Sequence, residues 1–292
     1  MKKIDSHLHV WAHDPDKYPY KQGQEQPLRA RGDAEFLLEL MDAADVAGSL
    51  IVQPIVHGFD HSYVNHTIAK WPDRFIGMCL VDPQADDPVE MLVELVDQGY
   101  RGVRFNPALW REGETMDGDV GRALYARAGE LGIPVGFLVS PHNYDEIEAL
   151  ADEFPDTPAI VDHFGHCVPS ENNSPVPEFQ RLISMARHPN LNVKLSEFPR
   201  ASNQDFPYAD MFAWVHQLID AYSAGRLMWG TDFPFIVEQA GYDKGWEIAD
   251  RIEPAIGPGL SDQILGGTCE KLFGVWGGYY CQYGVHLIVS LN

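Results

Sequence analysis

The sequence predicts an α/β fold, a single-domain (β/α)8 TIM barrel. Three observations point there: eight short strand-like runs in order, helix-like segments between them, and a length of 292 residues that suits eight such units. The runs are rich in β-branched and aromatic residues. The helix-like segments carry apolar residues at a 3.6-residue period.

The first run is "KIDSHLHV" (3–10). After an irregular stretch comes "DAEFLLELMDAADVAG" (33–48), opened by Asp33 as a cap and closed by Gly48. "SLIVQP" (49–54) and "FIGMCLV" (75–81) are the second and third strands, and "DPVEMLVELVDQG" (87–99) repeats the Asp start and Gly stop. "GVRFN" (102–106) precedes the helix 119–132, "PVGFLV" (134–139) the helix 145–154, and "AIVDHF" (159–164) the helix 179–188. "NVKLS" (192–196) and "RLMWGTD" (226–232) complete the set. A doubly wound open sheet is the competing architecture; it is weakened because no Gly-rich nucleotide-binding turn follows an early strand. The irregular stretches 11–32 and 165–178 leave the C-terminal ends of strands, the active face of a barrel, and read as lids. The barrel is expected over residues 1–274. Residues 275–292 are then an aromatic, apolar tail that packs on the barrel or on a neighbouring subunit, which makes a homo-oligomer an expectation.

Composition excludes several functions. With 45% hydrophobic and 22% charged residues, a chain of this length builds a core without disulfide staples. Cys79, Cys167, Cys269 and Cys281 are scattered, with no C-x-x-C pair, which argues against a zinc ribbon and fits a reducing compartment. A net charge of -22 argues against a nucleic-acid partner. "MKKI" is followed at once by Asp5 and two histidines rather than an apolar stretch, and no run of about 18 apolar residues occurs. A cytoplasmic protein without a membrane span is therefore expected, acting on a small molecule, an anionic one if Arg or Lys is focused in a pocket.

Polar residues gather at the strand ends: His7 and His9, Gln53, Arg104 and Asn106, Asp162 and His163, Lys194 and Ser196, then Asp232. Strands covered on both faces should be apolar along most of their length. Titratable groups at the same end of strand after strand need pairing, a ligand or a solvent cleft. His7 and His9 are two apart and share a face, a start for a metal site; in isolation they read equally well as surface histidines on an edge strand. Asp5 lies one step deeper on that face, placed to orient a ring nitrogen. Asp232, near the rim before Pro234, can take a proton from water or ligate a metal, or else cap a helix. His163 reads as a ligand or as a holder of a substrate carbonyl, His166 as a weaker candidate, and Asp162 as structural, turned away from His163. Arg104 is a natural clamp for a substrate carboxylate or a partner for an inner carboxylate. Asn106 and Ser196 share faces with Arg104 and Lys194 as further substrate contacts, Gln53 joins them, and Trp11 walls the pocket or packs in the core. Lys194 could serve as a Schiff-base lysine, although no neighbouring feature singles out imine chemistry.

Together, "DSHLHVW", "IVQP", "DRFIGMCLVDP", "GVRFN", "IVDHFGH", "NVKLS", "WGTDFP" and "ILGGTCEKLFG" resemble the amidohydrolase superfamily, in particular its amidohydrolase-related (amidohydrolase 2) branch with sugar-lactone and 2-pyrone-4,6-dicarboxylate lactonases. The resemblance covers about residues 3 to 274. It implies that Asp232 activates water while His7, His9 and His163 hold a divalent metal, Zn2+ by preference, or polarise a carbonyl directly. It implies a lactonase-type hydrolase. A metal-dependent non-oxidative decarboxylase on the same scaffold and a non-catalytic ligand-binding barrel are the alternatives. One departure stands out: metal-dependent relatives carry a ligand at the end of strand 4 or 5, where this chain has Gly136, Phe137, Leu138 and Val139, with His142 beyond the strand. A metal-free site is therefore the competing expectation.

Overall fold

The computed structural model describes residues 2–24, 30–170 and 176–276. Eight parallel strands stand in sequence order in one sheet: β1 (Lys3–Leu8), β2 (Val46–Val52), β3 (Phe75–Leu80), β4 (Val103–Phe105), β5 (Val135–Phe137), β6 (Ala159–Val161), β7 (Leu191–Leu195) and β8 (Leu227–Trp229). The sheet closes where β8 meets β1. There His9 N–H donates to the Phe233 carbonyl at 2.8 Å, and Asp232 N–H donates to the His7 carbonyl at 2.9 Å. Gly230 allows this approach, since a Cβ there would lie 2.7 Å from His7 Cβ and 2.9 Å from its backbone nitrogen. The strands stop short of the sequence runs at their C-terminal ends, so Asn106, Asp162, His163 and Asp232 sit on the turns that follow.

Helices separate the strands. Asp33 and Asp87 cap Ala34–Ala43 and Pro88–Asp97, accepting from the N–H groups of Phe36 and Glu90. The first helix is shorter than its sequence pattern. It ends at Ala43, Asp45 turns the chain at φ 55°, and Val46–Gly48 belong to β2. Gly48 is therefore no helix stop. Its missing side chain admits the Trp276 indole, which a Cβ would meet at 2.5 Å. The helices Ser62–Lys70 and Phe212–Tyr222 complete the alternation where the sequence reading named none.

The lower barrel is filled by an apolar cluster that includes Ile4, Leu50, Val52, Ile76, Met78, Met228, Phe273 and Trp276. The Trp276 indole N–H donates to the Ser49 carbonyl at 3.1 Å. Trp276, at the start of the expected tail, thus packs on the barrel, and residues 277–292 lie outside the described residues. Parts of both candidate lids, 25–29 and 171–175, also lie outside them. Above the apolar floor the interior turns polar, and the site begins there.

Candidate active site

His7 and His9 leave the end of β1, and Asp232 follows β8 across the closure. The Nε2 atoms of both histidines lie 3.7 Å from Asp232 Oδ1. His9 has a fixed tautomer. Its Nδ1 sits 2.8 Å from the Val52 carbonyl, which can only accept, so Nδ1 carries the proton and Nε2 presents a lone pair. His7 Nε2 and Asp232 Oδ1 are buried and have no hydrogen-bond partner among the described residues. Each such orphan costs about 1–3 kcal/mol, so the spot is built for something else.

Beneath this set lies Asp162, fully buried. Arg104 Nε donates to Asp162 Oδ2 at 2.9 Å; Lys194 Nζ lies 3.1 Å and His7 Nδ1 3.4 Å from its Oδ1. Lys194 Nζ also lies 3.1 Å from His7 Nδ1. The sequence reading turned Asp162 away from the site because strand neighbours alternate; β6 ends at Val161, and the turn brings Asp162 inward as the hub. Burial alone would raise its pKa, but Lys194, His7 and Arg104 outweigh that and hold it well below the usual carboxylate range. Lys194 has no exposure and spends its ammonium on Asp162 and His7. That places it behind His7 and outside the lining of the neighbouring cavity. Asp5, expected to orient a ring, instead accepts from Thr231 N–H at 2.9 Å, Thr231 Oγ1 at 2.6 Å and Tyr242 OH at 3.1 Å. A register shift between Asp5 and Leu8 breaks the alternation that the expectation assumed.

Beside the seam, a cavity of about 510 Å³ opens between the loops after β4 to β7, lined by Asn106, Ser140, His142, Asn143, His163, His166, Glu197 and Arg200. His163 joins it to the seam: its ring packs edge-on to His7 with centroids 4.3 Å apart. Its Nδ1 lies 2.9 Å from Ser196 Oγ, so Ser196, fully buried, orients His163 and does not line the cavity. Asn106 lines the cavity while its Oδ1 accepts from Ala108 N–H at 3.1 Å. Gln53 is 1% exposed and ties down the loop after β2 through the carbonyls of Gly58 and Asp60. Trp11 is 1% exposed, donates to the Ala30 carbonyl at 3.1 Å and packs with Val56. Both are removed from the cavity wall. Glu197 and Arg200 escaped the sequence reading, yet Glu197 is the next residue after Ser196; carrying the inventory of strand ends one residue further would have found it.

Backbone conformation marks the same residues. Asp232, His163, His166 and Glu197 hold φ of 61°, 53°, 54° and 62°. Left-handed non-glycine residues cost of order 1–3 kcal/mol each and persist where the surroundings over-determine them.

The seam set fits a metal ion. The donor atoms of His7, His9 and Asp232 all lie within 4.8 Å of one another. A tetrahedral site with bonds of about 2.1 Å spaces its ligand atoms about 3.4 Å apart, close to the observed 3.7 Å. Burial, then the charge of Arg104, pushes the His9 pKa down to about 4; burial, then Lys194, holds His7 well below its ordinary value. Both are neutral imidazoles near pH 7, the ligating form. Burial, then Glu197, raises Asp232 well above the carboxylate range, and a bound cation would reverse that. His163, expected as a fourth ligand, is not within this spacing of His9 and Asp232 together; its donor atoms group with His7 and Asp162 on one side and with His166 and Glu197 on the other. No strand 5 ligand exists: a Cβ on Gly136 would meet Met78 at 3.1 Å and Arg104 at 3.9 Å, so the space is filled.

Comparison with known proteins agrees with this architecture. A family model described as Amidohydrolase matches residues 4–275. The chain is 28% identical over 235 residues to the 4-sulfomuconolactone hydrolase of Hydrogenophaga intermedia, spanning 79% of this chain and 74% of that protein. It is 24% identical over 286 residues to the L-fucono-1,5-lactonase of Burkholderia ambifaria, spanning 91% and 93%. A Pseudomonas putida structure described as a 2-pyrone-4,6-dicarboxylic acid hydrolase superposes with a TM-score of 0.79 at 22% identity, covering 94% of this chain and 97% of that one. At that identity the superposition speaks for the fold.

Proposed function

The chain belongs to the amidohydrolase family, and from that footing we propose that it is a hydrolase opening a small lactone. The carrying observation is the pair of orphaned buried atoms, His7 Nε2 and Asp232 Oδ1, facing one another beneath His163, which packs on His7 and lines the neighbouring cavity. Both curated relatives described above carry names of lactone-opening enzymes, which supports the reading.

In this reading the lactone enters the cavity and presents its carbonyl at the seam. Asp232 takes a proton from water as the water oxygen bonds to the carbonyl carbon, whose π pair moves onto oxygen. The resulting oxyanion is the charge that the site must stabilise. A divalent metal, Zn2+ in our reading, held by His7, His9 and Asp232, would supply Lewis-acid polarisation of that carbonyl. Collapse re-forms the carbonyl and breaks the ring C–O bond, and Asp232 returns its proton to the leaving oxygen. One water is consumed and a hydroxy acid leaves. Lys194 and Asp162 hold the His7 ring throughout, and Ser196 holds His163.

The test is ring opening across a panel of sugar and unsaturated lactones, followed by proton release. Asp232→Asn should lower kcat by about 10²-fold or more, the typical worth of a positioned acid–base group. Full activity in that variant defeats the mechanism. Carbon dioxide evolution from a small carboxylic acid, without ring opening, would instead identify a decarboxylase.

A further inference from the structure

The cavity wall repeats the geometry of the seam with a second set of residues. His166 Nδ1 lies 2.8 Å from the Val139 carbonyl, which can only accept, so Nδ1 carries the proton and Nε2 bears a lone pair. This is how His9 is held by Val52. His166 Nε2 is buried, has no hydrogen-bond partner among the described residues, and faces Glu197 Oε2 at 3.5 Å. His163 Nδ1 lies 3.9 Å from the same oxygen and 2.9 Å from Ser196 Oγ, so the Ser196 hydroxyl proton must turn aside for this nitrogen to ligate. The other carboxylate oxygen of Glu197 is engaged by Arg200 at 3.0 Å, which leaves Oε2 turned to the histidines.

A lone pair facing a carboxylate oxygen inside protein is repulsive unless positive charge lies between them. A second proton on His166 would supply it only weakly here, because charge-assisted hydrogen bonds run to about 2.7–2.9 Å, shorter than the 3.5 Å observed. A metal ion suits the spacing better. The donor atoms of His163, His166 and Glu197 all lie within 4.8 Å of one another. Two imidazoles and a carboxylate are a donor set for ions of borderline softness. All three residues hold left-handed backbones, so the turns that present them are fixed by the fold.

We infer that His163, His166 and Glu197 form a second divalent-metal site, of Zn2+ or Co2+ type, in the wall of the cavity. Its open positions face the space lined by Asn106, Ser140 and His142, where an anionic group of a ligand completes the shell. This site does not depend on the lactonase reading, nor on metal at the seam.

Chelator-stripped protein is titrated with Co2+ alone, read by visible absorption and by metal count per chain after dialysis. The wild type should bind two ions. Glu197→Gln, which keeps the shape, should bind one, as should His166→Ala, with the lost site weakened at least tenfold. A single wild-type ion that is lost in Glu197→Gln and kept in Asp232→Asn supports the site and removes metal from the seam. A single ion kept in Glu197→Gln and lost in Asp232→Asn overturns it. So do two ions in both wall variants with unchanged affinity, or no ion in the wild type. Should His166→Ala fail to fold, Glu197→Gln and the wild-type stoichiometry still decide.

Discussion

Asp162 is the residue whose loss the fold should feel most among the polar groups. It is fully buried, with Arg104 Nε at 2.9 Å, Lys194 Nζ at 3.1 Å and His7 Nδ1 at 3.4 Å. Asp162→Asn keeps the shape and removes the charge, leaving two cations in an interior where Lys194 has no exposure and Arg104 has 6%. Breaking a buried ion pair from one side costs about 3–5 kcal/mol. At about 2–4 °C per kcal/mol for a chain approaching this size, the Tm should fall by about 6–20 °C. Burial already lowers the Lys194 pKa, so proton loss from Lys194 relieves part of the penalty and places the drop toward the lower end. Lys194→Met leaves Asp162 paired with Arg104 and should cost less. The double variant should recover stability relative to Asp162→Asn alone, a coupling above about 1 kcal/mol. The sign with pH follows from the depressed carboxylate. Its stabilisation is present above the unfolded pKa of about 4 and is lost as pH falls through the folded value, so the gap between wild type and Asp162→Asn is full at pH 7 and narrows in acid. Thermal and urea melts of the four proteins at pH 7 measure the cycle. A Tm for Asp162→Asn within about 2 °C of wild type, or strict additivity, would refute the hub.

Gly230→Ala places a methyl 2.7 Å from His7 Cβ and forces β8 away from β1. It should cost about 1–3 kcal/mol of stability and at least tenfold in kcat/KM. Gly259→Ala, with nothing within 4 Å, is the control; equal behaviour of the two variants would count against the seam. His61 is buried, with Nδ1 2.8 Å from the Phe59 carbonyl and Nε2 accepting from Leu80 N–H at 3.2 Å; burial holds its pKa down to about 4. Between that value and the unfolded value of about 6.5 the unfolded chain binds the proton and the folded chain does not, so stability falls as pH drops. Wild type should lose about 2 kcal/mol relative to His61→Gln between pH 7.5 and 5, at 1.36 kcal/mol per pH unit. Parallel curves of Tm against pH for the two proteins would show that His61 titrates normally.

The barrel was legible because its signals are local and repeat: short runs rich in β-branched and aromatic residues, amphipathic helices, Asp33 and Asp87 as caps. The seam set was legible because His7, His9 and Asp232 are polar residues at the ends of strands that ought to be apolar. What failed was orientation. Alternation along an ideal strand put Asp162 outside and Asp5 beneath the histidine rings. In the structure β6 ends before Asp162, and β1 shifts register between Asp5 and Leu8. For Lys194, Ser196 and Gln53 the missing signal is depth: the sequence marks a residue as inward but not how deep it lies. Depth decides whether an ammonium meets a ligand or, as for Lys194, a carboxylate and an imidazole behind the site.

One device recurs where the site is most ordered. His9 and His166 each give the Nδ1 proton to a backbone carbonyl, of Val52 and of Val139, beside the ends of β2 and β5. Each then aims a bare Nε2 at a carboxylate oxygen, of Asp232 at 3.7 Å and of Glu197 at 3.5 Å. Both carboxylates sit on left-handed residues, at φ 61° and 62°. A sequence cannot display this, because the tautomer depends on a carbonyl supplied by another strand. The carboxylate's aim depends on a left-handed backbone state that is uncommon for residues other than glycine and is fixed by the surrounding structure. The consequence is directional. A histidine whose Nδ1 is committed in this way cannot donate from Nε2 without becoming an imidazolium, and burial resists that charge for His9. Any group that bridges His9 and Asp232 must therefore bring positive charge or a donor proton of its own, as a metal ion or an attacking water does.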